Sequence, residues 1–199
     1  KMKNIKQIIT LKAPLFRTTN KKDSVETECL LGEKFIVKKE LKEWYFGILC
    51  TDNYEGWIEK KYLGNFKVNN YRVIKRSSNI YSNADDKSPI LQRLSFGCLL
   101  DVIEIKKKWA KISLNNKIYK KIGFVPANHI LKKTKKSKDW IKYCYNMIGI
   151  PYIWGGRSSD GIDCSALLQL SFHAIGINLP RNTNEQQKFM RLSGKFKEL

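Results

Sequence analysis

The chain contains an internal repeat, and this repeat constrains its fold more than any other feature. Three positions of a first copy recur in a second copy: Gly32 and Gly97, Trp44 and Trp109, and Gly56 and Gly123. The first two pairs lie 65 positions apart and the third lies 67 apart, so one loop of the second copy is two residues longer. A recurrence of this kind predicts two copies of one structural unit of about sixty residues.

Short β-strands are predicted for both copies. Phe35 and Val37 in the first copy, and Leu100 and Val102 in the second, recur at every second position, as in half-buried strands. Asp52-Asn53 is typical of a turn. The pattern of an apolar-Gly turn, a central Trp and a Gly-aromatic pair resembles the bacterial SH3-like barrel. We therefore predict two small all-β SH3-like barrels, at residues 1–66 and 67–132.

The hydrophobic period changes after a lysine-rich linker at residues 133–139. Apolar and aromatic residues then recur at helical spacing, at Trp140, Ile141, Cys144, Tyr145 and Ile148. Gly149 is placed to end this helix, and Pro151 begins a new segment. A third unit containing helices is therefore predicted at residues 140–199.

The segment 151–165 carries the candidate chemistry. It is a glycine-rich polar loop that leads into an apolar-periodic run at 166–174, so Asp163 is placed to cap a helix and Cys164 falls in its first turn. Backbone N–H groups and the positive end of the helix dipole favour a thiolate there. The same N–H groups can hold an oxyanion. Cys164 is therefore a candidate nucleophile.

Several motifs of the third unit follow one another in a distinctive order. They are Pro151-Tyr152-Ile153-Trp154-Gly155-Gly156, then Asp163-Cys164-Ser165, then Leu179-Pro180-Arg181, and finally Gln186. This order resembles the NlpC/p60 family of cell-wall endopeptidases. The resemblance implies a partial papain-like α+β domain after the two barrels. It also implies hydrolysis, without metal or cofactor, of the bond between γ-D-Glu and a diamino acid in L-Ala-γ-D-Glu-diamino acid peptides derived from peptidoglycan.

The resemblance also implies roles for individual residues of the third unit. Cys164 corresponds to the nucleophile. Tyr152 corresponds to a tyrosine beside the nucleophile that assists the oxyanion or the substrate. Asp163 and Ser165 correspond to positions that hold the free amino end of the peptide.

The first barrel is expected to wall off the amino end of the cleft, so that the enzyme trims wall fragments. Glu28, Glu33 and Tyr54 are the candidates for contacts there, and the residue pattern does not choose between them; Glu28 and Tyr54 are carried forward as predicted substrate-binding residues. We expect Trp154 to be a core aromatic residue and Arg157 to be a surface ion-pair partner without a role in the site.

A cysteine peptidase needs a general base, normally a histidine, and the chain has two. His129 occupies the place of Tyr62 in the repeat and is expected to be structural. His173 follows Cys164 by nine residues, which places it on the opposite face of one helix. In the family the histidine comes some fifty or more residues after the cysteine, whereas this chain ends 35 residues after it. We therefore expect a truncated product that does not hydrolyse peptides by itself.

The amino-acid composition limits which other classes of function the chain could have. The five cysteines form no Cys-x-x-Cys pair that suggests zinc, and their odd count is a poor disulfide framework, so reduced thiols in the cytoplasm are expected. No apolar run is long enough for a membrane span, and residues 1–12 lack the apolar run of a secretory signal. A cytoplasmic location is therefore favoured, with export or a periplasmic location left open.

The formal charge of +20 would draw the chain to polyanions such as nucleic acid. However, 31 of the 38 basic residues are lysines spread along the chain, a pattern that suits an AT-rich genome. We therefore do not favour a nucleic-acid site. The principal alternative to an enzyme is a non-catalytic protein whose paired barrels bind wall peptides.

Overall fold

The computed structural model describes residues 4–114, 122–135 and 139–193. Seven strands form a first β-unit: β1 (Ile5–Ile8), β2 (Lys12–Leu15), β3 (Thr27–Leu30), β4 (Lys34–Leu41), β5 (Trp44–Leu49), β6 (Tyr54–Glu59) and β7 (Leu63–Asn65). Five of them make an antiparallel sheet in the order β6-β5-β4-β1-β7, and β2 pairs with β3. Inward-facing apolar residues such as Phe35 and Leu49 form the core of this unit.

A second β-unit repeats this arrangement: β8 (Tyr71–Val73), β9 (Ser77–Tyr81), β10 (Ile90–Ser95), β11 (Leu99–Lys106), β12 (Trp109–Ser113), β13 (Ile122–Pro126) and β14 (Ile130–Lys132). Their order is β10-β9-β13-β12-β11-β8-β14. A single-turn 3₁₀ helix follows β6 at Lys60–Tyr62, and another follows β13 at Ala127–His129. The described residues are therefore mostly β-structure, as predicted.

The repeated residues occupy matching places in the two β-units. Trp44 opens β5 and Trp109 opens β12, and each ring meets another aromatic ring nearly edge-on. Gly32 and Gly97 precede β4 and β11 with φ of +84° and +86°, a backbone conformation that side chains disfavour. The recurrence in the sequence thus corresponds to a recurrence of backbone geometry.

A helical segment follows the two β-units. It contains α1 (Ile141–Tyr145), the short strands β15 (Arg157–Ser158) and β16 (Gly161–Ile162), α2 (Cys164–Ala174) and α3 (Thr183–Ser193). The helix predicted from Trp140 to Ile148 is shorter than expected, because the chain passes into a turn before Gly149 at φ +83°. The predicted linker lies partly outside the described residues, at 136–138. No helix among the described residues is long and apolar enough to cross a membrane.

One apolar core connects the second β-unit with the helical segment and reaches into the first β-unit. Leu30 of β3 belongs to this core, together with Ala166 and Leu170 of α2. Leu170 and Leu30 both lie close to Gly97. A Cβ added at Gly97 would lie 3.0 Å from Leu170 Cδ2 and 3.2 Å from Leu30 Cδ1. The start of α2 is thus packed between both β-units.

Replacing Leu30 by alanine should lower the free energy of unfolding by about 2–5 kcal/mol, because the buried side chain leaves a cavity where the three parts of the chain meet. Urea unfolding followed by tryptophan fluorescence measures the change. Leu41→Ala is the matched control, since Leu41 is half exposed on β4. A cost for Leu30→Ala no larger than that for Leu41→Ala would contradict this packing.

Candidate active site

Cys164 is the first residue of α2, and it is exposed. Asp163 caps this helix, because its Oδ1 accepts a hydrogen bond from the Ala166 N–H at 2.8 Å. The thiol therefore sits beside the free backbone N–H groups of a helix start, as the sequence predicts. The Sγ atom lies 4.0 Å from Oγ1 of Thr183, the first residue of α3. This arrangement leaves the sulfur open to a ligand from the solvent side.

A buried arginine, Arg181, holds the capping residue Asp163 in place. Arg181 Nη1 donates to Asp163 Oδ1 at 3.0 Å and to Ser165 Oγ at 2.6 Å, and its Nη2 pairs with the other oxygen of Asp163. Arg181 Nε donates to Thr27 Oγ1 of β3 at 2.7 Å, so every donor group of this guanidinium has a partner. Asp163 and Ser165 are thus buried side chains that fix the start of α2 against the first β-unit.

The pKa of Asp163 lies below its ordinary value. Burial alone would raise the pKa of the carboxyl, but the hydrogen bonds and charge of Arg181, together with the Ala166 N–H, outweigh burial. The folded protein therefore stabilises the carboxylate form of Asp163.

Arg157 is fully buried, so the prediction of a surface ion pair is wrong. Its Nη1 and Nη2 donate to the two carboxylate oxygens of Glu33, each at 3.0 Å. Its backbone N–H donates to Glu28 Oε2 at 2.9 Å. Burial raises the pKa of Glu33, and the charge of Arg157 more than reverses this, so the pKa is lowered overall. No local pattern predicts this ion pair, because its partners are 124 residues apart in the chain.

The first β-unit also contacts the glycine-rich loop through its backbone. The Glu28 N–H donates to the Gly155 carbonyl at 2.9 Å, and the Gly155 N–H donates to Asp163 Oδ2 at 3.0 Å. Gly155 has a φ of +73°, and an added Cβ would lie 2.6 Å from the carbonyl oxygen of Val25. Only glycine fits this close approach, which explains why position 155 is a glycine.

The two aromatic residues of the loop are exposed. Tyr152 is 64% exposed, and its backbone bridges to Ile162 just before the helix cap. The expected role of Tyr152 beside the nucleophile stays a prediction. Trp154 is 68% exposed, so the prediction of a core aromatic residue is wrong. Most of the indole surface is therefore accessible to solvent.

An open cleft of about 710 Å³ lies between the first β-unit and the start of α3. Glu26 and Tyr54 line one wall, and Asn182 and Glu185 line the other. The Tyr54 hydroxyl donates to Glu26 Oε2 at 2.9 Å; burial first, and then Glu26, raise the pKa of Tyr54 to about 12. Asn182 immediately precedes Thr183, the neighbour of the Cys164 thiol.

In the structure Tyr54 lines the cleft together with Glu26, and not with the predicted Glu28. Glu28 is absent from the cleft wall; its Oε1 pairs with Lys12 at 2.8 Å and its Oε2 accepts from Arg157. Glu26 lies just before the start of β3, and Glu28 lies within β3. The partners of Glu28 are distant in the sequence, so the local pattern could not distinguish the two carboxylates.

Neither histidine is placed to serve Cys164. His129 Nδ1 lies 2.9 Å from Ser78 Oγ within the second β-unit, as expected of a structural residue. His173 is near the far end of α2, about 13 Å along the helix axis from Cys164. Burial, followed by the charge of Arg72, lowers the pKa of His173 to about 4. No group of side chains suited to holding a metal ion occurs among the described residues.

The substitution Asp163→Asn should destabilise the fold by about 3–5 kcal/mol at neutral pH, because Arg181 would remain buried without its counter-charge. The lowered pKa means that this contribution is complete above the unfolded value of about 3.9 and is lost as the pH falls through the folded pKa. Denaturant unfolding of both proteins at several pH values should show the difference shrinking below pH ~4.

Asp160→Asn is the control, since Asp160 is exposed and pairs with Lys12 at the surface. Its cost should stay below about 1 kcal/mol at every pH. A difference for Asp163→Asn that does not depend on pH would contradict the role assigned to its charge.

Comparison with known proteins identifies two segments of the chain. Residues 149–197 match the model of the NlpC/P60 family, and residues 15–63 match that of the bacterial dipeptidyl-peptidase SH3 domain. A crystal structure of an NlpC/P60 family protein from Bacillus cereus superposes with a TM-score of 0.79 at 19% identity, covering 93% of this chain and 77% of that one. This likeness establishes the fold.

Two curated relatives extend over most of the chain. The γ-D-glutamyl-L-lysine dipeptidyl-peptidase of Bacillus subtilis is 27% identical over 82% of this chain, and that of Bacillus cereus is 26% identical over 90%. The chain spans 58% and 59% of the length of these two relatives. It therefore carries an NlpC/P60 family segment and a bacterial SH3 segment, and it is homologous to the γ-D-glutamyl-L-lysine dipeptidyl-peptidases.

Proposed function

We propose that this protein is a cysteine peptidase that hydrolyses the bond between γ-D-Glu and a diamino acid in L-Ala-γ-D-Glu-diamino acid peptides of peptidoglycan. The observation that carries the proposal is the exposed Cys164 at the capped start of α2. Its neighbour Thr183 follows Asn182, which lines a cleft with one wall from the first β-unit. The homologous dipeptidyl-peptidases support the substrate class.

The same comparisons and the strand order support the proposed domain organisation without setting its bounds. Residues 1–66 and 67–132 would be two SH3-like barrels, 133–139 a linker, and 140–199 part of a papain-like domain. The repeated backbone geometry at Gly32 and Gly97 supports a common ancestry for the two β-units.

In the proposed reaction the Cys164 thiolate attacks the γ-carbonyl carbon of D-Glu. The C–S bond forms, the C–N bond breaks, and the diamino acid leaves as an amine after taking a proton. Water then hydrolyses the thioester, which releases L-Ala-D-Glu and restores the thiol. Backbone N–H groups at the start of α2 would stabilise the oxyanion, with assistance from Tyr152.

The free amino end of the peptide would bind at the wall formed by the first β-unit. A carboxylate beside a phenol hydroxyl, Glu26 with Tyr54, suits an ammonium group. Asp163 and Ser165 remain proposed contributors to this end of the site, acting through the loop and helix start whose position they fix. Closure of this end of the site by the first β-unit would restrict the enzyme to peptides whose L-Ala is unsubstituted.

We expect the polypeptide 1–199 not to release L-Lys from L-Ala-γ-D-Glu-L-Lys, because neither His129 nor His173 can act as a base for Cys164. In a form that supplies a base at the thiol, Cys164→Ala should reduce turnover by at least about 10³-fold. Release of L-Lys can be followed by liquid chromatography.

Cys144→Ala is the control for this experiment, because the Cys144 thiol donates to Ser171 away from the cleft. Turnover by residues 1–199 alone would contradict the need for a further base. Undiminished turnover in Cys164→Ala would show that Cys164 is not the nucleophile. Peptide binding without any turnover would favour the alternative of a non-catalytic binding protein.

Glu26→Gln and Tyr54→Phe should each raise KM about tenfold in the active form with a smaller effect on kcat, because they weaken binding of the peptide ammonium group. Steady-state kinetics with free and N-acetylated peptides measure this. Glu55→Gln, at the exposed edge of the same cleft, is the control. An equal loss of affinity for both peptides would contradict recognition of the amino end by this pair.

A further inference from the structure

The ion pair between Arg157 and Glu33 joins the first β-unit to the loop that precedes the nucleophile. Arg157 is fully buried, Glu33 is 2% exposed, and the two parallel N–H···O contacts are both 3.0 Å long. Glu33 lies in the turn before β4, whereas Arg157 lies seven residues before Cys164. The contact thus connects two parts of the chain that are distant in sequence and adjacent at the site.

The pair is embedded in a set of further hydrogen bonds. Glu33 accepts from the Leu30 N–H and from Thr51 Oγ1, each at 2.7 Å. Arg157 Nη1 also donates to the Glu28 carbonyl at 2.9 Å. Both charges are therefore held in one fixed geometry rather than merely neutralised.

Stability alone does not account for this pair. Removing two charges from water costs more than an apolar pair of similar volume would, and a buried ion pair often adds little net stability. In addition, Arg157 Nε is buried without a hydrogen-bond partner among the described residues. A role in fixing the position of its residues explains this ion pair better than a contribution to the stability of the fold does.

The position that it fixes is that of the nucleophile. Arg157 of β15 pairs directly with Ile162 of β16, and Ile162 immediately precedes Asp163, the cap of α2. A displacement of Arg157 is therefore transmitted through one strand pair to the helix start that presents Cys164. Arg181 makes a second connection, from Asp163 to Thr27 of β3.

We propose that Arg157 is a positioning residue for Cys164, and that through Glu33 the first β-unit sets the orientation of the thiol at the start of α2. This inference rests on the proposed function of Cys164. The first β-unit would then contribute to the chemistry of the nucleophile as well as to the wall of the cleft.

The test is the rate at which iodoacetamide alkylates Cys164 in the chain 1–199 near neutral pH, followed by mass spectrometry well below the unfolding temperature. Glu33→Gln keeps the shape of the side chain but removes its charge, and Arg157→Lys removes the planar pair of donors. Each should slow alkylation about fivefold or more, because the thiol loses its alignment with the helix start.

Glu59→Gln is the matched control, since Glu59 is a buried glutamate of the same β-unit that pairs with Lys21 and Lys61. It should leave the rate within about twofold of the original, because it does not contact the loop. Unchanged or faster alkylation of Cys164 in Glu33→Gln and Arg157→Lys would overturn the proposal.

A double variant, Glu33→Leu with Arg157→Met, separates positioning from folding. Apolar replacement of both partners leaves no uncompensated charge, so the thermal midpoint should return toward the original value. Slow alkylation in this folded double variant supports positioning, and a normal rate overturns it. Loss of folding in all three variants would also overturn it, by assigning the pair to the stability of the fold.

This measurement does not require turnover. A normal alkylation rate in the variants would contradict the positioning role without contradicting the proposed peptidase activity. Absence of turnover in a form that supplies a base would contradict the peptidase activity without contradicting the positioning role.

Discussion

Two buried arginines, Arg157 and Arg181, must each find partners for several donors inside the protein, and each has at least one partner on the first β-unit. Arg157 reaches Glu33 and the Glu28 carbonyl, and Arg181 reaches Thr27 while it holds Asp163. A buried guanidinium that loses its acceptors is strongly destabilising. Strand β3 and the turn after it therefore supply contacts that hold the loop and the helix start in their observed positions.

The second β-unit holds the other end of the same helix. Arg72 of β8 donates to the His173 carbonyl in the last turn of α2, where a positive charge complements the helix dipole. Arg76 similarly donates to the Ile148 carbonyl at 2.8 Å. The helix that carries Cys164 is thus held at its start by one β-unit and at its end by the other.

Local patterns in the sequence predicted the features that depend on neighbouring residues. The repeat, the capping role of Asp163 and the extent of α2 follow from spacing and helix chemistry. The burial of Arg157 and the exposure of Trp154 could not be predicted in this way, because they depend on where distant parts of the chain meet. Motif order indicated Cys164 as the candidate nucleophile, whereas the contacts around the start of α2 required the three-dimensional structure.

The choice between Glu26 and Glu28 illustrates the same limit at smaller scale. Both are acidic residues of the same short stretch, but Glu26 faces the cleft whereas Glu28 contacts Lys12 and the Arg157 backbone. Residues two positions apart share one face of a regular strand, so the alternation of side chains does not distinguish these two carboxylates. Their partners come from distant parts of the chain, which local hydrophobicity does not report.

The position of Leu30 has a consequence for how such proteins diversify. Leu30 belongs by sequence to the first β-unit, yet it packs in the core shared by the second β-unit and α2. The units that recur along the chain are therefore not the units that exchange freely between chains. A recombination that replaced the first β-unit with another of the same fold would succeed only if the incoming strand also brought an apolar side chain for this core and acceptors for both arginines.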